Sequence, residues 1–376
     1  MLPATQIKIL AVSATLPVLL MASRAAAQCE EAKLTASDAG RDQCFGRSVG
    51  ISGDVAVAGG AGCWIPGGPG AAYAFRRNGS SWVQQQKLVP SDLQEGSVFG
   101  WSVAVSGDTI VVTAPGHSTV NPADGAAFVF RYNGVSWVET QKLFPSDSFM
   151  GWHFGLQVAI DADVIAVGQI GEEAAGAPES GAVYVYRWNG TNWQQEQKLV
   201  PPDLGPFDNF GASVSVSGNV IVGGAPLNES TDTVGAAYVF RRNTGTWVQE
   251  QKLTRAQAYE DGGFASSVAV WGDTLFVGSP ENGTPNNYDP GTVLVYRYNG
   301  LLWVQTETLS AADGGPLDLF GGSVSLYGNR ALVQADGLPD PGTPVGIAYV
   351  YEFTGQRWLQ RLRLTAPPPP WAKQRV

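Results

Sequence analysis

The chain consists mainly of six copies of a unit about 55 residues long, and this repeat constrains its fold more than any other feature. Each copy starts at a Phe followed by Gly or Ala, and successive Phe residues lie 54 to 56 positions apart: Phe45, Phe99, Phe154, Phe210, Phe264 and Phe320. A Trp recurs 37 to 39 residues after each Phe: Trp82, Trp137, Trp193, Trp247, Trp303 and Trp358. Two markers that keep step through six copies predict a repeat architecture.

Each unit contains four segments with the pattern of β-strands. In the second copy, the turn Ser106-Gly107-Asp108 separates two short apolar segments and is typical of a tight hairpin. After a polar loop, residues 125–130 alternate so that two Phe side chains share one face. The dipeptide Asn133-Gly134 suits a two-residue turn and leads to a last segment that begins at Trp137. Four antiparallel strands per unit, repeated around an axis, predict an all-β fold, the β-propeller.

The number of units predicts six blades. The first strand of each unit is rich in small residues and is expected nearest the crowded axis, with the Trp-bearing fourth strand outermost. One Trp per blade at a fixed position indicates packing between blades. Seven blades are the alternative, which needs strands that the sequence does not offer. Residues 32–35 match the end of the fourth strand at 361–365, so one segment is surplus and either reinforces ring closure or competes for it.

The connections between strands are of two kinds. The Ser-Gly-Asp turn joins the first strand to the second, and the Asn-Gly turn joins the third to the fourth. In an antiparallel sheet these two turns lie at the same edge, so we expect them to share one uniform face of the propeller. The opposite face carries the irregular loops, which have no common sequence: 62–69, 116–124, 171–180, 227–234, 281–290 and 336–344. Function on repeat scaffolds usually resides in such loops.

The two ends of the chain differ from the repeats. Lys8 precedes an apolar stretch at 9–22 that ends in small residues, the pattern of a cleaved secretory signal. The stretch is too short for a membrane anchor, the other reading. The predicted organisation is a signal peptide at 1–27, an N-terminal segment that offers a ring-closing strand at 28–44, the propeller at 45–366 and a Pro-rich tail at 367–376. Secretion places the protein outside the cell or at the cell surface.

The three cysteines lie close to the start of the predicted mature chain, at Cys29, Cys44 and Cys63. Two of them can pair in an oxidising compartment. We predict a Cys29–Cys44 disulfide with Cys63 as a free thiol, although spacing alone does not exclude the other pairings.

Composition excludes several classes of partner. The formal net charge is −10, which disfavours contact with nucleic-acid phosphates. The chain holds only two histidines and no pair of cysteines spaced as zinc ligands, so a zinc site is not expected. No apolar run after the signal is long enough to span a bilayer, and we expect a soluble monomer.

The motifs in the units resemble the FG-GAP repeat. Phe210-Gly211 followed by Gly224-Ala225-Pro226 is the clearest match, and Gln86-Lys87-Leu88 is similar to a segment of bacterial secreted members. The resemblance covers nearly all of the mature chain. It implies an extracellular binding propeller, like that of integrin α chains. We expect no cofactor, with calcium as the alternative. Integrin-type calcium loops of the form Asp-x-Asp-x-Asp-Gly are replaced here by short Ser-Gly-Asp turns, so a calcium site is not carried over.

Most acidic residues recur in every unit and are therefore attributed to the scaffold. The departures from the repeat are candidate ligand contacts on the irregular face: Trp64, His117, Trp152, His153, Glu172 and Glu173. Four carboxylates that precede the Phe residues form a candidate cation site at the mouth of the central channel: Asp42, Asp208, Asp261 and Asp318. We find no catalytic motif.

These observations predict a secreted, non-enzymatic binding or adhesion module that presents its variable loops to an extracellular protein or polysaccharide. The first alternative is a carbohydrate-active hydrolase or lyase that uses loop carboxylates over the channel. The second is a structural component of the cell surface.

Overall fold

The computed structural model describes residues 32–38, 44–61, 68–119, 121, 124–147, 154–171, 179–227, 235–255, 263–280, 290–315, 318–335 and 346–365. These described residues form 24 strands and no helix. The strands make six sheets of four, and each sheet is one blade, so the predicted all-β, six-bladed propeller is confirmed. The predicted signal and tail lie outside the described residues.

Each blade runs through its four strands in chain order. The first strands are β1 (Val49–Ser52), β5 (Val103–Ser106), β9 (Phe154–Asp161), β13 (Ser213–Ser217), β17 (Ser267–Trp271) and β21 (Ser323–Tyr327). The second strands are β2 (Val55–Gly60), β6 (Thr109–Ala114), β10 (Val164–Gln169), β14 (Val220–Ala225), β18 (Thr274–Ser279) and β22 (Arg330–Ala335). The third strands are β3 (Ala71–Asn78), β7 (Ala126–Tyr132), β11 (Ala182–Trp188), β15 (Ala236–Asn243), β19 (Thr292–Tyr298) and β23 (Ile347–Phe353). The fourth strands are β4 (Ser81–Leu88), β8 (Trp137–Leu143), β12 (Trp193–Leu199), β16 (Thr246–Leu253), β20 (Trp303–Leu309) and β24 (Trp358–Thr365).

The core consists of layers between neighbouring blades. Between blades 1 and 2, Val57 and Ala74 face Phe99 and Phe128, and all four side chains are buried. Phe99 lies edge-on to Phe128 with ring centroids 5.5 Å apart. In other blades the repeated Phe packs in the same edge-on way against an aromatic residue of the third strand. This packing explains why the Phe recurs along the sequence.

The periodic Trp residues join blades, as predicted. The backbone N–H of Trp137 donates to Gln86 Oε1, and Gln86 Nε2 donates back to the carbonyl of Trp137, each at 2.8 Å. Gln141, Gln197 and Gln251 hold the Trp of the next blade in the same way. The indole rings of blades 2 to 6 are almost fully buried, so this series is structural.

Ion pairs at the outer rim repeat as well. The Asp of each linker reaches a basic residue on the fourth strand of the following blade: Asp38 to Lys87, Asp92 to Lys142, Asp147 to Lys198, Asp203 to Lys252 and Asp313 to Arg363. In blade 5 the basic residue is replaced by Thr308. These five aspartates therefore belong to the scaffold.

The two tight turns of each blade lie on one face, as expected. In blade 2, the N–H of Tyr132 at the third-to-fourth turn donates to the carbonyl of Asp108 at the first-to-second turn, at 3.0 Å. Equivalent hydrogen bonds occur in the other blades, from Arg77 to Asp54 and from Tyr298 to Asp273 among them. The strand ends that lead into the irregular loops therefore lie on the opposite face, while most residues of those loops lie outside the described part of the chain.

Residues 32–38 form no strand, and β24 supplies the fourth strand of blade 6. Leu34 and Ala36 nevertheless pack against Tyr73 and Phe75 of blade 1. The Ser37 N–H donates to Gln84 Oε1 at 2.8 Å, as Ser146 does to Gln195 at the linker between blades 2 and 3. The segment thus occupies the place that a linker from a preceding blade takes elsewhere, which accounts for its match to the repeat.

Candidate binding surface

Most of the predicted ligand contacts lie outside the described residues. This holds for Trp64, Trp152, His153, Glu172 and Glu173, which therefore stay predictions. His117 is described and is fully buried. Its Nδ1 is 3.2 Å from Ser97 Oγ, its Nε2 is 3.5 Å from Asp92 Oδ2, and its carbonyl accepts a hydrogen bond from Gly125. In this structure His117 therefore secures the loop and is not presented to solvent.

Ser97, His117 and Asp92 are the residue types of a hydrolase triad, and sequence reasoning did not bring them together. A nucleophile must be reached by substrate, but both Ser97 and His117 are fully buried. Burial lowers the pKa of the His117 imidazole and outweighs Asp92, which raises it, so the ring is neutral near pH 7. Asp92 is also held by Lys142. The arrangement fits a packed polar cluster between linker and loop.

The buried His117 predicts a loss of stability in mild acid. A lowered pKa in the folded state favours the neutral ring, so this contribution is complete above the unfolded pKa of about 6.5 and is lost as pH falls below it. We expect the free energy of unfolding to decrease from about pH 7.5 to 5.5 with a slope from this group of at most about 1.4 kcal/mol per pH unit. Urea unfolding of His117→Gln should remove that slope. His153→Gln, at the only other histidine, should keep it, and an unchanged slope in His117→Gln would contradict the assignment.

The described carboxylates of the predicted cation site have local partners. Asp208 accepts from the N–H of Gly205 at 2.7 Å, and Asp318 accepts from the N–H of Gly315 at 2.6 Å. Each therefore closes its own linker loop. Asp42 and Asp261 lie outside the described residues, and a site built from all four stays a prediction. In the part of the chain that the structure describes, no group of three or more His, Cys, Asp or Glu residues could hold a metal.

Cys44 is disulfide-bonded. Both other cysteines, Cys29 and Cys63, lie outside the described residues, so the predicted pairing of Cys29 with Cys44 stays a prediction.

A groove of about 650 Å³ lies between the outer turns of blades 2 and 3, lined by Arg131, Trp188 and Asn192 among others. The Arg131 guanidinium stacks over Trp188 at 4.8 Å. The same stacking recurs between other blades: Arg76 on Tyr132, Arg241 on Tyr298 and Arg297 on Phe353. A contact that recurs in this way belongs to the scaffold.

The sides of blades 6 and 1 that would close the ring differ from the other five blade interfaces, and we call the gap between them the open seam. On blade 1, Val49 and Ile51 of β1 are 70% and 59% exposed. Their counterparts in β5, Val103 and Val105, are 5% and 9% exposed because blade 1 covers them. The inner half of blade 1 is therefore an uncovered apolar wall.

The facing wall on blade 6 is polar. At one position of the second strand, four blades have a glycine whose added Cβ would lie about 2 Å from a backbone oxygen of the next blade: Gly59, Gly168, Gly224 and Gly278. Blade 6 has Gln334 there. Arg330 of the same strand is half-buried. Leu332 is 42% exposed, whereas Val57 and Val111, which hold the same position in blades 1 and 2, are buried. A side chain as large as Gln334 is incompatible with the close contact seen elsewhere.

Two further positions agree that the seam is open. A Cβ added to Gly46 of blade 1 would meet nothing within 4 Å, whereas one on Gly100 of blade 2 would lie 2.0 Å from the carbonyl oxygen of Ala71. The glutamine whose side chain hydrogen-bonds the backbone of the next Trp is replaced in blade 6 by Leu362. A leucine side chain cannot make these hydrogen bonds to Trp82. Trp82 itself is only half-buried.

An exposed aromatic pair adjoins the seam on the face of the tight turns. Trp271, the last residue of β17, and Tyr327, the last residue of β21, have ring centroids 4.2 Å apart and planes tilted by 52°. They are 39% and 48% exposed. The sequence gives one indication of this pair, because Trp271 lies outside the periodic Trp series. Because this face was expected to be uniform, the pair was not predicted.

In the part of the chain that is described, no helix is long and apolar enough to cross a membrane. No curated protein matches the chain. One similar solved structure is named as a 6-phosphogluconolactonase from Bacteroides fragilis NCTC 9343, with a TM-score of 0.54 and 9% sequence identity. The match covers 85% of this chain and 84% of that chain, and at this identity it shows the fold alone.

The family comparison agrees with the repeat and the blades. The model of the FG-GAP repeat matches six segments: 29–75, 82–130, 137–186, 193–240, 247–296 and 303–351. The last five matches begin in a fourth strand and continue through three strands of the next blade, so the family unit spans a blade interface. The matches cover most of the sequence, and the chain therefore belongs to the FG-GAP repeat family.

Proposed function

We propose that this protein is a secreted, non-enzymatic binding module that presents the surface of its propeller to an extracellular protein or polysaccharide. The open seam carries the proposal, because Val49 and Ile51 remain exposed on an otherwise well-packed scaffold. Uncovered apolar surface costs free energy in water and usually marks a binding site. The irregular loops, which the sequence predicts to share the opposite face, remain a second candidate surface for the same role.

Secretion rests on two observations. The first 27 residues have the composition of a cleaved signal, and Cys44 is disulfide-bonded, which suits an oxidising compartment. FG-GAP repeats are also commonly extracellular.

A non-enzymatic role is supported by the periodic rim contacts of five linker aspartates and by the burial of Ser97 and His117. The FG-GAP propeller family is typically non-enzymatic. The lactonase name of one structural neighbour does not favour an enzyme, because the likeness extends only to the fold.

The test is a binding screen of the mature chain against glycans and matrix proteins, with calcium and with EDTA. We expect a saturable ligand whose affinity falls at least about tenfold in Val49→Lys/Ile51→Lys. Val135→Lys is the matched control, since Val135 is 83% exposed on an outer turn far from β1. A blank screen, or binding that the seam variant leaves unchanged, would contradict the proposal for this surface. Ligand turnover would replace it with an enzyme.

A further inference from the structure

The position of Trp271 and Tyr327 has a structural task in the other four blades. The Ser52 hydroxyl accepts a hydrogen bond from the N–H of Gly107 in the next blade at 3.0 Å. Ser106, Asp161 and Ser217 make the same contact to Ala162, Gly218 and Gly272. A small oxygen-bearing side chain at the end of each first strand thus ties neighbouring turns together.

Blades 5 and 6 replace this small acceptor by two large rings. An indole offers no acceptor oxygen, so the tie from blade 5 to blade 6 is not made in the same way. Both rings are exposed although buried aromatics supply most core packing in this fold. At Trp271 the replacement gives up a contact to the next blade, and both rings leave apolar surface in water, as is common at binding sites.

Polar groups surround the aromatic pair. Asp273 follows Trp271 in its turn, and Asn329 follows Tyr327 in the next turn; both are exposed. Arg330 pairs with Tyr327 across the hairpin. The two rings thus lie at strand ends beside tight turns that carry carboxylate, amide and guanidinium side chains, and we treat them as a small amphipathic platform.

This chemistry matches a sugar ring better than a protein. A pyranose presents C–H groups, which are slightly positive, on a face that stacks on the negative face of an aromatic ring, while its hydroxyls point outward to polar side chains. A pair of rings covers one or two sugar units, whereas a stable protein interface needs about 800 Å² on each partner. The net charge of −10 disfavours an acidic polymer.

The seam extends the platform into a path for a chain of sugars. Because side chains alternate along a strand, Tyr327 lies on the same side of β21 as Ser325 and Ser323. Both serines are exposed, and Leu332 and Gln334 pair with them across the sheet. Hydroxyl and amide groups therefore continue from the aromatic pair along the polar wall of the seam.

We propose that Trp271 and Tyr327 stack on a pyranose unit of a neutral polysaccharide whose next units enter the open seam. This inference rests on the proposed binding function and names its ligand class.

The test uses titration calorimetry of the mature chain with cellohexaose and mannohexaose as neutral probes and with hexagalacturonate as an acidic probe. We expect a neutral probe to bind and to quench tryptophan fluorescence. Trp271→Ser and Tyr327→Ser, which restore the residue found in other blades, should each weaken binding at least about tenfold. Phe144→Ser is the control, because Phe144 is an exposed aromatic in the linker between blades 2 and 3.

The outcomes separate the inference from the function on which it rests. Neutral saccharide binding that survives the Trp271→Ser/Tyr327→Ser double change would overturn the inference, as would preference for the acidic probe. Binding of a matrix protein, with no saccharide bound, would also overturn it while leaving the binding function in place. If no ligand of any class binds, both fail.

Discussion

Replacement of Gly168 by valine is expected to destabilise the protein strongly. A Cβ at this position would lie 2.0 Å from the carbonyl oxygen of Gly211 and 2.9 Å from its carbonyl carbon, in the next blade. Both atoms belong to the backbone, so the clash cannot be relieved by rotating a side chain. We expect a loss of about 3 kcal/mol or more in the free energy of unfolding, at or above the upper end for overpacked interiors. Urea unfolding of Gly168→Val followed by circular dichroism measures it.

The matched control is Gln334→Val, at the same repeat position in blade 6. Gln334 faces the open seam, is half-buried and already carries a long side chain, so valine meets no comparable clash and the change should cost at most about 1.5 kcal/mol, the most that a lost hydrogen bond usually contributes. If both variants lost stability equally, blade 6 would have to pack against a neighbour as tightly as blade 3 does.

Removal of the Phe210 ring is the second change with a large expected effect. The ring is fully buried between blades and lies 5.5 Å from Tyr238 and 6.0 Å from Phe240, measured between centroids. An added Cβ on Gly223 would come within 2.5 Å of this ring, so the surroundings are tightly packed. We expect Phe210→Ala to cost about 3 to 5 kcal/mol, the range for deleting a buried aromatic side chain. Chemical denaturation measures the loss.

Phe45→Ala tests whether the loss of unfolding free energy depends on the burial of the ring or only on its place in the repeat. Phe45 has the same aromatic neighbours, Tyr73 at 5.6 Å and Phe75 at 6.0 Å, but it lies beside the open seam and is only half-buried. The loss should be smaller, about 1 to 2 kcal/mol, because less apolar area leaves water on folding. A cost equal to that of Phe210→Ala would mean that the seam is covered.

The repeat made most of the fold predictable from sequence. Period, strand pattern and turn residues recur in six copies, so each copy supports the interpretation of the others. The Trp series, the turns on one face and the six sheets followed from that pattern. The paired polar contacts, such as that of Gln86 with Trp137, could not be predicted, because the two residues lie about fifty positions apart in the sequence. They meet only because neighbouring blades pack in one particular register, which the sequence pattern does not reveal.

The candidate surface was harder to predict, because it depends on what the repeat omits. Gln334, Leu362 and Trp271 all depart from their repeat positions, and each departure is visible in the sequence. The role of each residue depends on which side of its blade it occupies. Alternation alone does not reveal that, among the described residues, no blade packs closely against that side of blade 6. The predicted ligand contacts were instead placed in the irregular loops, where His117 is buried.

The surplus segment at 32–35 matches the end of a fourth strand in sequence but does not form strand hydrogen bonds. Leu34 packs as the end of a fourth strand would, and Lys87 lowers the pKa of the Asp38 carboxyl through the same rim contact that other blades make. No strand forms at 32–38, because the segment has no third strand beside it to pair with. It therefore covers the outer part of blade 1 and leaves β1 open.

The open seam is the central claim, and disulfide trapping across equivalent positions tests it most directly. Ala104 and Ile160 both pack against the core cluster between blades 2 and 3, and their counterparts at the seam are Ser325 and Ile51. Under brief mild oxidation with peptide mapping, Ala104→Cys/Ile160→Cys should cross-link rapidly and Ser325→Cys/Ile51→Cys should not. Equal cross-linking of both pairs would contradict the account, because it would mean that blades 6 and 1 meet in solution and close the ring.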